Sequence, residues 1–171
     1  MAGVKPAAAA RYTAGPDAGP DTMNTAAAPY VFDDRNIRWF PLGDFKHLEL
    51  CMLAVDPANR IVDFVIRFAA NEKIFLHRHL AQTNLFVVQG EHRIYHPDGS
   101  LQEIRPTGSY TASAPGGVHY EGGGDQDCVV LYNIRGNGRD EMFEVMDEQQ
   151  NVLAVLGYAD FAALYAEQKG A

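Results

Sequence analysis

The chain has 171 residues, of which 47% are hydrophobic, and a formal net charge of −8, values that favour one globular domain with a substantial core. An acidic protein repels phosphate backbones and anionic lipid, which argues against nucleic-acid and membrane-surface partners. The sequence has no apolar run long enough to span a bilayer and no signal-peptide core near its first residue, so we expect a cytoplasmic protein.

The N-terminal segment differs in composition from the rest. Residues 1–29 contain ten Ala and four Pro but few large apolar side chains. Such a segment cannot bury enough surface to offset the entropy lost on ordering. We therefore predict a disordered tail over residues 1–29 and a single domain over residues 30–171.

From residue 30 onward, short apolar segments rich in Val, Ile and Phe alternate with turn residues, as in an all-β protein. The predicted strands are 37–40, 45–55, 61–68, 73–79, 84–89, 92–96, 101–105, 109–113, 118–121, 128–135, 141–146 and 152–156. About a dozen short strands at nearly regular spacing indicate an antiparallel sandwich or barrel. One C-terminal helix is expected, because Tyr158, Phe161, Leu164 and Tyr165 recur at helical spacing and Gly170 is a natural stop.

The sequence contains two cysteines, Cys51 and Cys128, each in an apolar segment that reads as a strand. No C-x-x-C motif is present. We predict two free thiols in preference to a disulfide.

Three histidines are the main chemical signal in the sequence. His77 and His79 flank Arg78 in a predicted strand, where alternate side chains share a face. His119 follows Pro115-Gly116-Gly117-Val118 in another predicted strand. Three imidazoles that converge on one metal ion would leave coordination positions of the metal open, as in a catalytic centre. The alternative to a metal site is that His77 and His79 are two partly exposed strand histidines.

Both histidine segments resemble cupin motifs. His77-x-His79 with Gly90 resembles the first, G-x5-H-x-H-x3-4-E-x6-G, and Gly108 with Pro115-Gly116-x-x-His119 resembles the second, G-x5-P-x-G-x2-H-x3-N. The chain departs from these motifs at three places. Thr83 or Asn84 replaces the glutamate, Asn71 stands near the place of the first glycine, and Gly123 replaces the final asparagine. The first departure removes the usual fourth ligand and predicts a three-histidine site.

The resemblance implies a cupin double-stranded β-helix, a jelly-roll barrel with a short C-terminal helix. Residues 144–160 are also similar to the end of the acetylacetone-cleaving and 2,4′-dihydroxyacetophenone dioxygenases, which share the cupin of ChrR-type anti-sigma factors. This similarity implies one divalent metal held by His77, His79 and His119, with iron(II) favoured and zinc or nickel as alternatives. It further implies O₂, a small carbonyl substrate, and a homodimer or higher homo-oligomer.

Strand parity gives candidate residues for a substrate pocket. Phe75 shares a face with His77 and His79. Asn84, Phe86 and Val88 share one face of the next strand, and Tyr110 precedes Pro115-Gly116-x-x-His119. The predicted pocket residues are Phe75, Asn84, Phe86, Val88 and Tyr110. The alternative for the aromatics is that they belong to the barrel core, because a cupin interior serves as both core and pocket.

Two more residues are candidates for supporting the ligands. Thr83 lies within the first motif, at the place of its glutamate, and Glu121 lies two residues after His119, hence on its face. For Glu121 a solvated position at the barrel mouth is the favoured alternative. His92 and His96 share a face just before a turn, and we predict a surface role for both.

The sequence supports three function hypotheses. The first is a mononuclear iron(II) dioxygenase that cleaves a carbon–carbon bond in a small β-diketone or hydroxy-ketone. The second is a non-catalytic zinc-binding sensing or interaction module of the anti-sigma type. The third, a non-redox cupin such as a sugar isomerase, is disfavoured because such cupins typically keep the glutamate ligand.

Overall fold

The computed structural model describes residues 31–170, and the predicted disorder of residues 1–29 lies outside this range. Over the described residues the chain forms twelve strands and one helix. They are β1 Phe40–Pro41, β2 Leu48–Asp56, β3 Ile61–Phe68, β4 Leu76–His79, β5 Gln82–Gln89, β6 Glu91–Tyr95, β7 Leu101–Pro106, β8 Tyr110–Ser113, β9 Gly116–Gly123, β10 Cys128–Arg135, β11 Glu141–Met146, β12 Val152–Gly157 and α1 Tyr158–Gly170.

The strands form two six-stranded antiparallel sheets, which confirms the predicted all-β barrel with a short C-terminal helix. One sheet has the order β1-β2-β3-β10-β5-β8, and the other has the order β12-β11-β4-β9-β6-β7. Neighbouring strands in each sheet are mostly distant in sequence, as expected of a jelly roll. Strands β4 and β9, which carry the three histidines of the motifs, are neighbours in the second sheet.

Short aspartate-led turns end several strands where the sequence predicts them. Asp56 accepts hydrogen bonds from the backbone N–H groups of Ala58 and Asn59 between β2 and β3. Asp98 accepts one from Ser100 between β6 and β7. An aspartate that bonds the backbone two or three residues ahead stabilises a turn locally.

Two predicted strands at the start of the domain are shorter than expected. The predicted strand at 37–40 contributes only Phe40–Pro41, and the predicted strand at 45–55 begins at Leu48. His47 has a φ of 65°, in the left-handed region, which is incompatible with extended backbone. The apolar residue Phe45 therefore packs on the core from a loop.

The core lies between the sheets and closes at one end against the helix. Phe64 of β3 stacks on Tyr132 of β10 and on Phe161 of α1, with ring centroids 5.2 and 5.6 Å apart. Asp160 accepts a hydrogen bond from the Gly157 N–H at the start of the helix, as an acidic residue in the first turn does. Both cysteines are free thiols, as predicted. Over residues 31–170 no helix is long and apolar enough to cross a membrane.

Two departures from the cupin motifs have a backbone explanation. Asn71 has a φ of 58°, a conformation that glycine adopts freely and that Asn tolerates better than most residues. Gly123 lies so close to the loop between β3 and β4 that a Cβ atom would be 2.6 Å from the Ala69 carbonyl oxygen. An asparagine at this position would collide with that loop.

Candidate metal centre

The three motif histidines converge because their strands are paired. His77 and His119 are direct Cα partners on β4 and β9. A register shift between Arg78 and His79 sets His79 opposite Gly116. The His77 and His119 ring centroids are 4.6 Å apart, and those of His79 and His119 are 5.2 Å apart. The sequence prediction that these three side chains share one point in the barrel agrees with this geometry.

Each of these imidazoles is held through Nδ1, which leaves Nε2 facing the centre. The Nδ1–H of His77 donates to the Phe75 carbonyl at 3.1 Å, and that of His119 donates to the Gly117 carbonyl at 3.0 Å. The Nδ1–H of His79 donates to Thr83 Oγ1 at 2.7 Å. Such acceptors fix the tautomer and the ring orientation of metal-binding histidines.

Glu121 brings a carboxylate to the same centre from β9. Its Oε1 lies 3.2 Å from His119 Nε2 and 3.6 Å from His79 Nε2, and its Oε2 lies 3.7 Å from His77 Nε2. The Tyr132 hydroxyl donates to Oε2 at 2.8 Å. Potential ligand atoms of the three histidines and Glu121 all lie within 4.8 Å of one another.

Burial and mutual charge determine which groups are ionised. Burial lowers the pKa of His77 to about 3 and also lowers the pKa of His79. Burial acts in the same direction on His119, but its hydrogen bond and charge interaction with Glu121 raise the pKa overall.

Burial acts to raise the pKa of Glu121, yet the surrounding histidines outweigh it and hold this pKa well below its ordinary value. Burial and the Glu121 charge together raise the pKa of Tyr132 well above its ordinary range, so this hydroxyl remains a donor. The centre therefore combines an ionised carboxylate with neutral His77 and His79.

This donor set fits a divalent cation. His77 Nε2 and His79 Nε2 are 3.2 Å apart, and their Nδ1 contacts leave both Nε2 atoms unprotonated. Two lone pairs at this separation repel unless a positive charge lies between them. Three imidazoles and one carboxylate suit zinc, iron and related transition metals.

Two of the spaces that border the centre differ in character. An apolar cavity of about 40 Å³ lies on one side, where His77, Glu121 and Tyr132 are its polar lining residues. An open cleft of about 430 Å³ lies on the other side, with His79, His119 and Glu121 in its lining. The centre is therefore reachable from outside while its inner side is apolar.

One predicted pocket residue lies at the centre and the others do not. Phe75 lines the inner cavity, and its ring centroid is 5.5 Å from that of His77. Phe86 and its strand partner Tyr110 lie on the outside of the barrel, with 41% and 65% of their surface exposed. The pocket prediction for these two aromatics is thus wrong.

The pocket prediction also fails for the two other residues on that face of β5. Asn84 is turned away from the histidines and contacts Asn133 through its amide, and half-buried Val88 lies on the same side. Leu85 and Val87 point into the core instead. Because residues 85–88 are apolar at every position, hydrophobic parity could not distinguish the inner face from the outer one.

Thr83 and Glu121, the two residues predicted to support the ligands, both contact the histidines. Thr83 supports His79, as described above. Glu121 is only 4% exposed, which corrects the favoured reading of a solvated position, and it restores the carboxylate whose absence from β5 predicted a three-histidine site.

His96 is exposed as predicted, but His92 is fully buried, and its Nε2 lies 3.7 Å from Glu121 Oε2. The surface prediction for His92 is therefore wrong. The buried Ile94 on the same strand face gave the signal that His92 points inward.

Sequence and structure comparisons agree with this architecture. Residues 27–136 match the family model described as the ChrR Cupin-like domain. The chain belongs to the ChrR-like cupin family. The cupin resemblance drawn from the two motifs is confirmed by this match. No curated protein has a sequence that matches this cupin.

Solved structures share the fold at low sequence identity. An RmlC-like cupin from Ralstonia eutropha aligns with a TM-score of 0.65 and 16% identity over 85% of this chain and 90% of its own. The acetylacetone dioxygenase from Acinetobacter johnsonii aligns with a TM-score of 0.65 and 14% identity, over 88% and 99% of the two chains. The polyketide cyclase RemF from Streptomyces resistomycificus aligns with a TM-score of 0.51 and 17% identity, over 76% and 85%. The dioxygenase and the cyclase have different activities, so the likeness establishes the fold alone.

Proposed function

We propose that this cupin is a mononuclear metal-dependent dioxygenase that cleaves a carbon–carbon bond in a small β-diketone or hydroxy-ketone. The observation that carries the proposal is the convergence of three histidine Nε2 atoms and the Glu121 carboxylate at the floor of an open cleft. His77, His79 and His119 hold the metal, with iron(II) favoured over zinc and nickel, and Glu121 is the fourth protein ligand.

The protein groups around the metal prepare it for a chelating substrate. Glu121 contributes one negative charge, so a substrate bound as an enolate completes the neutralisation of a divalent ion. A redox-active metal such as iron(II) would supply an electron path between a bound enolate and O₂, which zinc cannot provide.

The two spaces at the centre suit this role. The open cleft gives a small carbonyl compound access to the ligand set. The inner cavity is lined mostly by apolar side chains such as Phe75 and Phe143, which limit the access of bulk water to that side of the centre. Water exclusion strengthens electrostatic interactions and protects reactive species from side reactions.

The substrate class draws further support from the acetylacetone dioxygenase, whose chain aligns with this one over nearly its full length. The C-terminal segment at 144–160, which resembles that of the acetylacetone-cleaving and 2,4′-dihydroxyacetophenone dioxygenases, forms the end of β11, all of β12 and the start of the helix. Phe143 of β11 contacts His79, with ring centroids 4.7 Å apart. The homo-oligomer expected from the resemblance stays a prediction.

The test combines metal analysis with oxygen uptake. Protein purified without chelators is analysed for iron, zinc and nickel, and oxygen consumption is then followed with acetylacetone and with 2,4′-dihydroxyacetophenone. We expect iron and substrate-dependent uptake, with a carboxylic acid among the cleavage products of each compound. Iron-loaded protein that consumes no oxygen with either compound would contradict the proposal.

A second candidate is a zinc-binding sensing or interaction module. The family match favours it, because the matching family model is described as the ChrR Cupin-like domain. The same ligand set suits tetrahedral zinc. Zinc as the metal of the purified protein, together with no oxygen uptake after exchange to iron, would favour this candidate.

A further inference from the structure

One arginine lines the open cleft that borders the metal centre. Arg105 of β7 is the Cα partner of His92 of β6, whose side chain is fully buried in the barrel. Because directly paired residues point to the same face of a sheet, Arg105 also points inward. Its side chain is only 14% exposed, and it lines the cleft together with His79, His119 and Glu121. No other Lys or Arg contributes to that lining among the described residues.

Most of the hydrogen-bonding capacity of this guanidinium is unused. Its Nη2 donates to Glu103 Oε2 at 2.7 Å, and Glu103 lies at the rim with nearly half of its side chain exposed. The buried Nε–H has no acceptor. A guanidinium presents five N–H donors in a planar fork that matches carboxylate geometry. A buried donor without an acceptor costs free energy that a ligand oxygen would recover.

We propose that Arg105 binds a carboxylate group carried by the substrate, so that the substrate class is a keto or diketo acid with its anionic end in the outer cleft. The inference rests on the proposed function, because the carbonyl end of the same molecule occupies the metal centre. A divalent ion outweighs the single charge of Glu121, and Arg105 balances Glu103, so the loaded cleft is net positive. The cleft volume of about 430 Å³ lies within the range of small-molecule sites.

The nearest competing explanation is that Arg105 and Glu103 form only a structural ion pair on β7. The two explanations differ in their consequences for binding. If Arg105 binds a substrate carboxylate, Glu103 competes with the ligand, and removing the Glu103 charge strengthens binding. If the pair is structural, neither partner affects the preference between acidic and neutral ligands.

The experiment compares two diketones that differ only in the anionic group. 4-Acetyl-5-oxohexanoate carries a β-diketone and a carboxylate arm, and its ethyl ester lacks the charge. Dissociation constants of both are measured by calorimetry on zinc-loaded protein, so that no turnover occurs. The variants are Arg105→Met, Arg105→Lys and Glu103→Gln. The matched control is Arg93→Met, since Arg93 pairs with Glu91 and Asp125 and does not line the cleft.

We expect wild-type protein to bind the acid more tightly than the ester. Arg105→Met should weaken binding of the acid by about 10-fold to 100-fold, as for loss of a hydrogen bond between charged groups, and leave the ester unchanged. Glu103→Gln should strengthen acid binding, and Arg93→Met should change neither ligand. Should Arg105→Met fail to fold, Arg105→Lys and Glu103→Gln give the same contrast.

Two results would overturn the inference, and they are distinguishable. Equal binding of acid and ester in the wild type and in both Arg105 variants would refute the carboxylate site while leaving the diketone proposal intact. Absence of binding for both compounds would refute the diketone proposal and this inference with it.

Discussion

Replacement of Glu121 by Gln tests whether this carboxylate, which stands in for the missing motif glutamate, belongs to the metal centre. The substitution keeps the size of the side chain and the Tyr132 contact but removes the charge. Oε1 of Glu121 lies 3.2 Å from His119 Nε2, so a cation held by the histidines would be in direct contact with it.

The magnitude is estimated from Coulomb's law for a carboxylate charge about 4 Å from the metal ion. Two unit charges 4 Å apart interact by about 4 kcal/mol at an effective dielectric constant of 20, and a divalent ion doubles this value. The amide oxygen and the relief of burying a charge recover part of it. We therefore expect the zinc dissociation constant to rise at least about 100-fold, since each 1.4 kcal/mol is a factor of ten.

The assay is competition of protein and a chromophoric chelator for zinc, supported by the visible spectrum of the cobalt form, which reports on the ligand set. Glu144→Gln is the matched control, because Glu144 pairs with Arg78 on the opposite face of the same sheet. A Glu121→Gln protein that binds zinc as tightly as the Glu144→Gln protein and gives an unchanged cobalt spectrum would refute the reasoning.

Three further predictions concern the histidines. His119→Ala should abolish metal binding but leave the metal-free protein folded, because the barrel core does not involve this residue; unfolding of the variant would contradict this. Thr83→Val, which removes the acceptor for His79 Nδ1, should weaken zinc binding by about 10-fold to 100-fold, and an unchanged affinity would show that the hydroxyl is dispensable. The low pKa of His77 means that between pH 6.5 and about pH 3 the unfolded chain binds a proton that the folded protein does not. Acid should therefore destabilise the metal-free protein by roughly 1.4 kcal/mol per pH unit for this residue, and urea denaturation across this range that gives constant stability would contradict it.

Most strand positions could be predicted because hydrophobic runs and turn residues alternate regularly along the chain. The cupin motifs also predicted that His77, His79 and His119 converge from two strands, and these strands are neighbours in one sheet. The exact start of β2 could not be predicted, since His47 adopts a left-handed backbone conformation that only neighbouring structure imposes.

The candidate site was harder to predict where one strand is apolar on both faces. Residues 85–88 contain no polar residue to mark the outside, so the parity assignment put Phe86 in the pocket and missed Leu85. The burial of Glu121 depends on Tyr132 of β10, which belongs to the opposite sheet. Local sequence patterns carry no information about such a contact between sheets.

The three ligand imidazoles differ in how their orientation can be altered by mutation. The acceptors for His77 and His119 are carbonyls of the main chain two residues earlier on the same segment, and every amino acid supplies such a carbonyl. The acceptor for His79 is a side-chain hydroxyl on another strand. A single substitution of an acceptor side chain can therefore alter the orientation of only one of the three ligand imidazoles, that of His79, without replacing a ligand. We expect evolutionary or engineered variation in metal preference to concentrate at position 83.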